Sequence, residues 1–228
     1  YSDETTVRYD FGVNFAGVVR VRAKGRKGSV LIAKYAEMLD KNGELYTANL
    51  RRAKCTDAFV LSGREDLFEP LFTFHGFRYA ELKKEADEII IGVKGRVISQ
   101  DIDYYGSFEC SDDTINGVYA MALNGQKSNF IAIPTDCPQR DERLGWSGDA
   151  EVFCNSAMFN ADCNKFFKNY LKMLRTDTLE NGRIPSIVPL YMAVADNTAG
   201  VPGWGDCIAV MPYFHYLHYR DKTIIKDN

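Results

Sequence analysis

From residue 7 to residue 98 the chain alternates apolar and polar positions in short runs. "VRYDFGVNFAGVVRVRAKG" sets Val18, Arg20 and Arg22 against Val19, Val21 and Ala23 and stops at Gly25. That period of two predicts a half-buried strand. "GSVLIAKYAEML" follows, then Asp40-Lys41-Asn42-Gly43, where Asn-Gly between apolar runs predicts a hairpin. "EPLFTFHGFRYAELK" and "IIIGVKGRVIS" are further strand-like runs rich in Phe, Tyr, Ile and Val. Short strands separated by turns, with no helical period, predict an antiparallel β-sandwich over residues 1–108.

After Cys110 the period lengthens. Ser111 or Asp112 is placed to cap a helix in which Ile115, Val118, Tyr119, Ala122 and Leu123 share a face. "AEVFCNSAMF", "NKFFKNYLKMLRTDTLENG" and "GWGDCIAVMPYFHYLHYRD" read as further helices, the second ended by Asn181-Gly182. A loop carrying Pro185, Pro189 and Pro202 precedes the last of them. The predicted fold class is mixed: an antiparallel sandwich, then α-hairpins over residues 109–228, with the boundary between about 100 and 110.

One stretch fits neither pattern. "DCPQRDERLGWSGDAEVF" gathers Asp136, Asp141, Glu142 and Asp149 with Arg140, Arg143 and Trp146. Pro134 and Pro138 push the residues before them out of the helical region. A helix can therefore start only later, at Asp149, and Asp136, Arg140 and Glu142 lie on a connection between helices. Such connections often carry catalytic groups on a rigid scaffold. A plain reading stands beside this one: Arg140-Asp141-Glu142-Arg143 as a self-neutralising surface cluster that adds little to stability. Trp146 argues for a sugar site, since an indole covers the apolar face of a sugar while carboxylates and guanidinium groups take its hydroxyls. A glutamate half-buried against a ring and near other carboxylates can also hold the proton that glycosidic cleavage needs.

These residues resemble the signature of the bacterial α-L-rhamnosidases of glycoside hydrolase family 78. "FEPLFTFHGFRYAEL" is similar to the end strands of that family's sandwich domain, and "GWGDCIAVMPY" to a later segment of its helical barrel. The resemblance implies that the helices form part of an (α/α)6 barrel and that the reaction is inverting hydrolysis of terminal α-L-rhamnose. It implies Glu142 as general acid, Asp136 and Asp149 as holders of rhamnose hydroxyls, Arg140 as a further sugar contact, and Trp146 on the sugar's apolar side. Trp204 and Asp206 of "GWGD" are implied in the same pocket. Asp141 competes with Glu142 for the acid role, because some relatives carry the carboxylate one place earlier. The substrate implied is a rhamnose-containing glycoside, without cofactor or metal.

An inverting enzyme also needs a general base on the other side of the ring, roughly 6.5–9.5 Å from the acid. The family's base comes from late in its barrel, and no residue here matches it. Twelve barrel helices need roughly 200 residues or more at about 11–12 per helix plus connections, and 118 residues follow Cys110. The barrel is expected to be incomplete, and this stretch to be inactive by itself, with apolar helix faces left open.

Composition narrows the alternatives. A net charge of -3 offers no basic patch for nucleic acid. No apolar run reaches the roughly 18 residues of a membrane helix, and nothing resembles a signal peptide. The six cysteines form no C-x-x-C pair and have no histidine at ligand spacing, which argues against zinc. With no N-x-[ST] acceptor, they favour a reducing, cytoplasmic setting over a periplasmic or secreted one. An oligomer is compatible with all of this. His75, His215 and His218 sit in strand or aromatic helix patterns and read as packing residues, and "KGRKG" as a solvated turn. Two rivals remain: a non-catalytic carbohydrate-binding or scaffold module, and another (α/α)6 glycosidase with a different sugar. A binding module needs aromatic platforms on a sheet face, whereas here the acids cluster in a helix-linked loop.

Overall fold

The computed structural model describes residues 5–85, 87–191 and 199–228. Part of the proline-bearing loop before "GWGD" therefore lies outside the described residues. The chain divides into two compact units, one of residues 1–99 and 138–142, the other of residues 100–137 and 143–228. Five residues of the acid-rich loop thus group with the strands, although they lie between two helices in sequence.

In the first unit β1 (Thr6–Lys24) is the organising strand. It pairs antiparallel with β7 (His75–Lys83), and the register shifts between Asp10 and Phe15. Gly12 sits in that irregularity at φ +79°, a conformation costly for residues with a Cβ, and its N–H donates to Asp10 Oδ1 at 2.8 Å. Beyond the shift, β1 pairs with β8 (Ile89–Val97) and β6 (Glu65–Phe68). β2 (Val30–Ala36) lies between β7 and β5 (Thr56–Val60). β3 (Met38–Leu39) and β4 (Leu45–Tyr46) make the predicted hairpin, with Gly43 at φ +80°.

Alternation along β1 holds from Arg20 onward, but Phe15 to Val19 are all buried, Val18 included. Both faces of the strand are covered over this stretch. Phe77 is the centre of this core, with ring centroids 4.6 Å from Phe15 and 4.8 Å from Tyr35. The run "EPLFTF" before His75 is not strand, and Phe72 within it is fully exposed.

The second unit is helical. α1 (Asp113–Asn129) is capped by Asp112, whose carboxylate accepts from Thr114 N–H at 2.8 Å and Ile115 N–H at 3.2 Å. The short β9 (Phe130–Ile131) and β10 (Ile133–Pro134) follow and pair with each other. α2 (Ser147–Asn160), α3 (Asn164–Thr176), α4 (Cys207–Tyr219) and α5 (Thr223–Asp227) complete it. α3 ends five residues before Asn181, because Asp177 already takes a non-helical role at its C-terminus. The core joins Phe130, stacked on Phe166 at 4.4 Å, to Cys154, Met158, Phe167, Leu171 and Met211.

The apolar stripe of α1 is present but open: Ile115 is 50% and Val118 56% exposed. Val152 and Phe159 of α2 are exposed as well. Among the described residues no helix is long and apolar enough to cross a membrane.

Burial gives one direct expectation. Phe77 is fully buried between aromatic neighbours, so Phe77→Ala should cost about 3–5 kcal/mol through lost transfer energy and a residual cavity. Urea unfolding of the strand unit, compared between wild type and variant, measures it. A loss below about 1 kcal/mol would show that the ring does not hold this core together.

Candidate active site

The acid-rich loop leaves the helical unit and returns to it across one backbone bond. Asp136 N–H donates to Leu144 O at 2.9 Å. Just upstream, Thr135 anchors the loop's entry: its N–H and its hydroxyl both donate to Asn129 O, at 2.9 and 2.8 Å. Downstream, residues 145–147 lie along residues 186–188. Val188 N–H donates to Gly145 O at 2.9 Å, and Ser147 N–H to Ser186 O at 2.8 Å. The Tyr170 hydroxyl, buried, adds a 3.0 Å bond to Gly145 O. Both ends of the loop are therefore fixed by backbone bonds of the helical unit, which a folded core keeps satisfied.

α2 starts at Ser147, two residues earlier than the proline and capping signals suggest. Trp146 is its cap residue, extended and bridged to Ile187, with no side-chain cap bond. Pairing with residues 186–188 sets the start instead of a polar cap. Asp149 consequently lies in the first turn of α2, where the helix dipole favours an anion.

Asp136 and Asp149 line the same cavity of about 280 Å³ in the helical unit. α1 contributes Gln126 and Asn129, and the apolar wall comes from Phe130 and Phe153. This is near the lower end of the roughly 300–1,000 Å³ of small-molecule sites. Partial desolvation pushes the Asp149 carboxyl above the ordinary range, and the charge of Asp136 adds to the effect. Asp149 is nevertheless exposed as a residue, so the shift belongs to a solvent-facing group in a cleft and not to a buried one.

Trp204 and Asp206 meet the same helix. The Ser147 hydroxyl donates to Trp204 O at 2.9 Å. A Cβ on Gly148 would stand 3.0 Å from two carbons of the Trp204 indole, so the ring lies flush against the first turn of α2. Asp206 accepts from Gly203 N–H at 2.9 Å. Glu151 was not singled out from the sequence. Burial, and then the charge of Asp206, push its carboxyl upward, and its Oε2 is buried without a hydrogen-bond partner. No sequence signal set it apart within the helix.

Residues 138–142 group with the strand unit. Arg140 and Glu142 stand 3.5 Å apart, with the Glu142 side chain only 14% exposed. Asp141 instead pairs with Arg52 at 3.1 Å. Desolvation works to raise the Asp141 carboxyl, but the hydrogen bond and charge of Arg52 outweigh it and hold the group below the ordinary range. The four-residue cluster is therefore only in part self-neutralising: Arg140 pairs with Glu142, while Asp141 looks to a strand-unit arginine.

The histidines pack. His75 Nε2 lies 3.1 Å from Asp57 Oδ2, and its ring stacks on Tyr35 at 4.2 Å. His215 Nε2 meets Asn164 Oδ1 at 3.1 Å, and His218 Nε2 meets Asn155 Oδ1 at 2.9 Å. The cysteines are free thiols, and burial pushes Cys154, Cys163 and Cys207 up to about 12, so they act as apolar core residues.

Comparison with known proteins bears on this arrangement. Residues 103–228 match the family model of the bacterial alpha-L-rhamnosidase 6 hairpin glycosidase domain, and residues 1–99 that of the bacterial alpha-L-rhamnosidase concanavalin-like domain. The chain is similar to an alpha-L-rhamnosidase of Formosa agariphila, 39% identical over 225 residues, covering 96% of this chain and 24% of that protein. In three dimensions it is similar to the Streptomyces avermitilis alpha-L-rhamnosidase complexed with L-rhamnose, with TM-score 0.92 and 35% identity. That match covers 99% of this chain and 22% of the other. The alpha-L-rhamnosidase of Dictyoglumus thermophilum gives TM-score 0.93 at 33% identity, with shares of 99% and 25%. The chain thus spans about a quarter or less of the length of these three relatives. The sandwich-then-helix fold class expected from the sequence is the one these proteins share.

The shared cavity predicts a coupled titration. Asp136→Asn should move the Asp149 midpoint down toward the ordinary carboxylate range, followed by carboxyl NMR. A carboxyl with a raised folded pKa gives stability at low pH that is lost as pH rises through its titration, so the variant should lose less over that window. An unmoved Asp149 midpoint would mean that the two carboxylates do not sense each other.

Proposed function

Because the chain belongs to the bacterial α-L-rhamnosidase family, we propose that it carries the proton-donating half of an inverting rhamnosidase site. In this reading Glu142 protonates the glycosidic oxygen of a terminal α-L-rhamnoside. Asp136 and Asp149 accept hydrogen bonds from rhamnose hydroxyls, with Arg140 and Asp206 as further polar contacts. Trp146 and Trp204 cover the apolar side of the sugar. The general base that activates water comes from residues this chain does not contain.

The observation that carries the reading is the cavity in which Asp136 and Asp149 meet, which polar side chains line together with Phe130 and Phe153. Two carboxylates in one cleft repel each other, and a ligand rich in hydroxyl donors relieves that repulsion without bringing in charge. Gln126 and Asn129 offer both donors and acceptors, as a sugar ring requires. Phe130 and Phe153 supply the apolar surface against which a 6-deoxy carbon packs. Asp141 is poorly suited to donate a proton, because Arg52 stabilises its ionised form. That leaves Glu142, whose side chain is largely withdrawn from water, as the acid of this loop.

The test uses the full-length protein. Wild type should release rhamnose from an aryl α-L-rhamnoside. Glu142→Gln should lose roughly 10²–10⁴-fold in kcat on rhamnosides with an alkyl or sugar leaving group. Nitrophenyl rhamnosides, whose leaving group departs without protonation, should lose far less. Equal losses on both substrate types would remove Glu142 from the acid role, and absence of rhamnose release by wild type would remove the reading itself.

A further inference from the structure

Within the strand unit, five loop residues are held from three separate points. Gln139 lies with its backbone directly over Gly76 of β7. A Cβ added at Gly76 would stand 2.7 Å from Gln139 Cβ and 3.1 Å from both its Cα and N. The first of these distances is shorter than real Cβ contacts, and the other two are backbone atoms that cannot swing away. Gly76 is therefore a strand glycine of the kind that lets another backbone approach closely. The Cys55 thiol reaches Gln139 O at 3.5 Å, and Cys55 takes a left-handed φ of +43° to do so. A residue with a Cβ pays of order 1–2 kcal/mol for that conformation. Two positions further on, Arg52 holds Asp141 at 3.1 Å.

Beneath Gly76 and Cys55 the strand unit is stiffened by a buried network. The Tyr35 hydroxyl donates to Asp57 Oδ2 at 2.7 Å, and His75, adjacent to Gly76, meets both oxygens of the same carboxylate. Tyr35 N–H donates to Cys55 O at 3.1 Å, which fixes the strained residue from below. His75 is stacked on the Tyr35 ring, so the strands under the loop have little freedom to shift.

We infer that Gly76, Cys55 and Arg52 are positioning residues for proton donation, cradling residues 138–142 so that Glu142 is held in one place. None of them needs to touch the substrate. Gln139 and Asp141 are pinned, and Glu142 follows Asp141 directly, so its backbone has almost no independent play. The inference rests on the reading of Glu142 as the acid. A donor displaced by about 1 Å can cost roughly 10²-fold in rate.

The test measures kcat and KM of the full-length protein on two α-L-rhamnosides, one with a nitrophenyl and one with an alkyl leaving group. Gly76→Ala should lower kcat on the alkyl rhamnoside about 10–100-fold, with nitrophenyl kcat and both KM values little changed. Arg52→Ala, at a side chain 94% exposed and so without consequence for folding, should show the same pattern at a few-fold. Gly92→Ala, a strand glycine with open space where the Cβ would go, is the control and should change neither rate. If Gly76→Ala fails to fold, Arg52→Ala and Cys55→Ala decide by the same selectivity. Leaving-group-selective loss in Glu142→Gln, but equal or no loss in the cradle variants, overturns this inference alone. Equal losses on both substrates in Glu142→Gln overturn the acid reading, and with it the cradle, since the loop then carries no donor to position.

Discussion

The bond from Asp136 N–H to Leu144 O is the constraint on which the acid-rich loop depends. It closes the base of an excursion of charged residues between two helices. A connection with that many charges would ordinarily fluctuate, since each side chain is better solvated than packed. Here the chain must return to Leu144 at hydrogen-bond distance, and residues 145–147 are then laid along residues 186–188. Arg143 absorbs the turn with a φ of +62°, a strained value for arginine. The fixed ends give α2 its start at Ser147 and put Asp149 in the helix's first turn, facing the cavity that Asp136 also lines.

Two kinds of force then share the loop. In the helical unit the dominant one is partial desolvation, with like-charge repulsion from Asp136 adding to it: Asp149 is raised, but water still reaches it. In the strand unit the dominant one is steric. Gly76 admits the backbone of Gln139 where any side chain would exclude it, while the exposed Arg52–Asp141 pair contributes electrostatically at most the modest amount of a surface ion pair. Magnitude therefore ranks the supports: a backbone contact that cannot relax constrains the loop more than an ion pair open to solvent.

The sequence made the chemistry of the site more legible than its support. Asp136, Arg140, Glu142, Trp146 and Asp149 stand in one short string, and their types and order are visible without a structure. The fold class was legible for a similar reason, since the hydrophobic period changes from two to helical near Cys110. Helix starts were less so. Proline and capping signals pointed to Asp149, yet strand-like pairing with residues 186–188 starts α2 at Ser147, and pairing partners that distant in sequence leave no local mark. Val18 was grouped with arginines by simple alternation, but β1 is buried on both faces from Phe15 to Val19. Glu151 was passed over because a single acid inside an apolar helical run looks like a solvated position; only its orphaned oxygen and its response to Asp206 distinguish it. Gly76 had a faint signal, as a glycine inside a strand pattern, but its partner Gln139 lies more than sixty residues away.

The cradle also changes what the strand unit is for. In this chain its Tyr35–Asp57–His75 network links β2, β5 and β7, the strands next to the residues that contact Gln139. Loops used in catalysis tend to come from the less stable parts of a fold, because local opening there is easy. Residues 138–142 instead lie against a sheet in which Phe77, Ala80 and Leu82 of β7 are fully buried. The strain at Cys55 is tolerable because the surrounding core over-determines the backbone there.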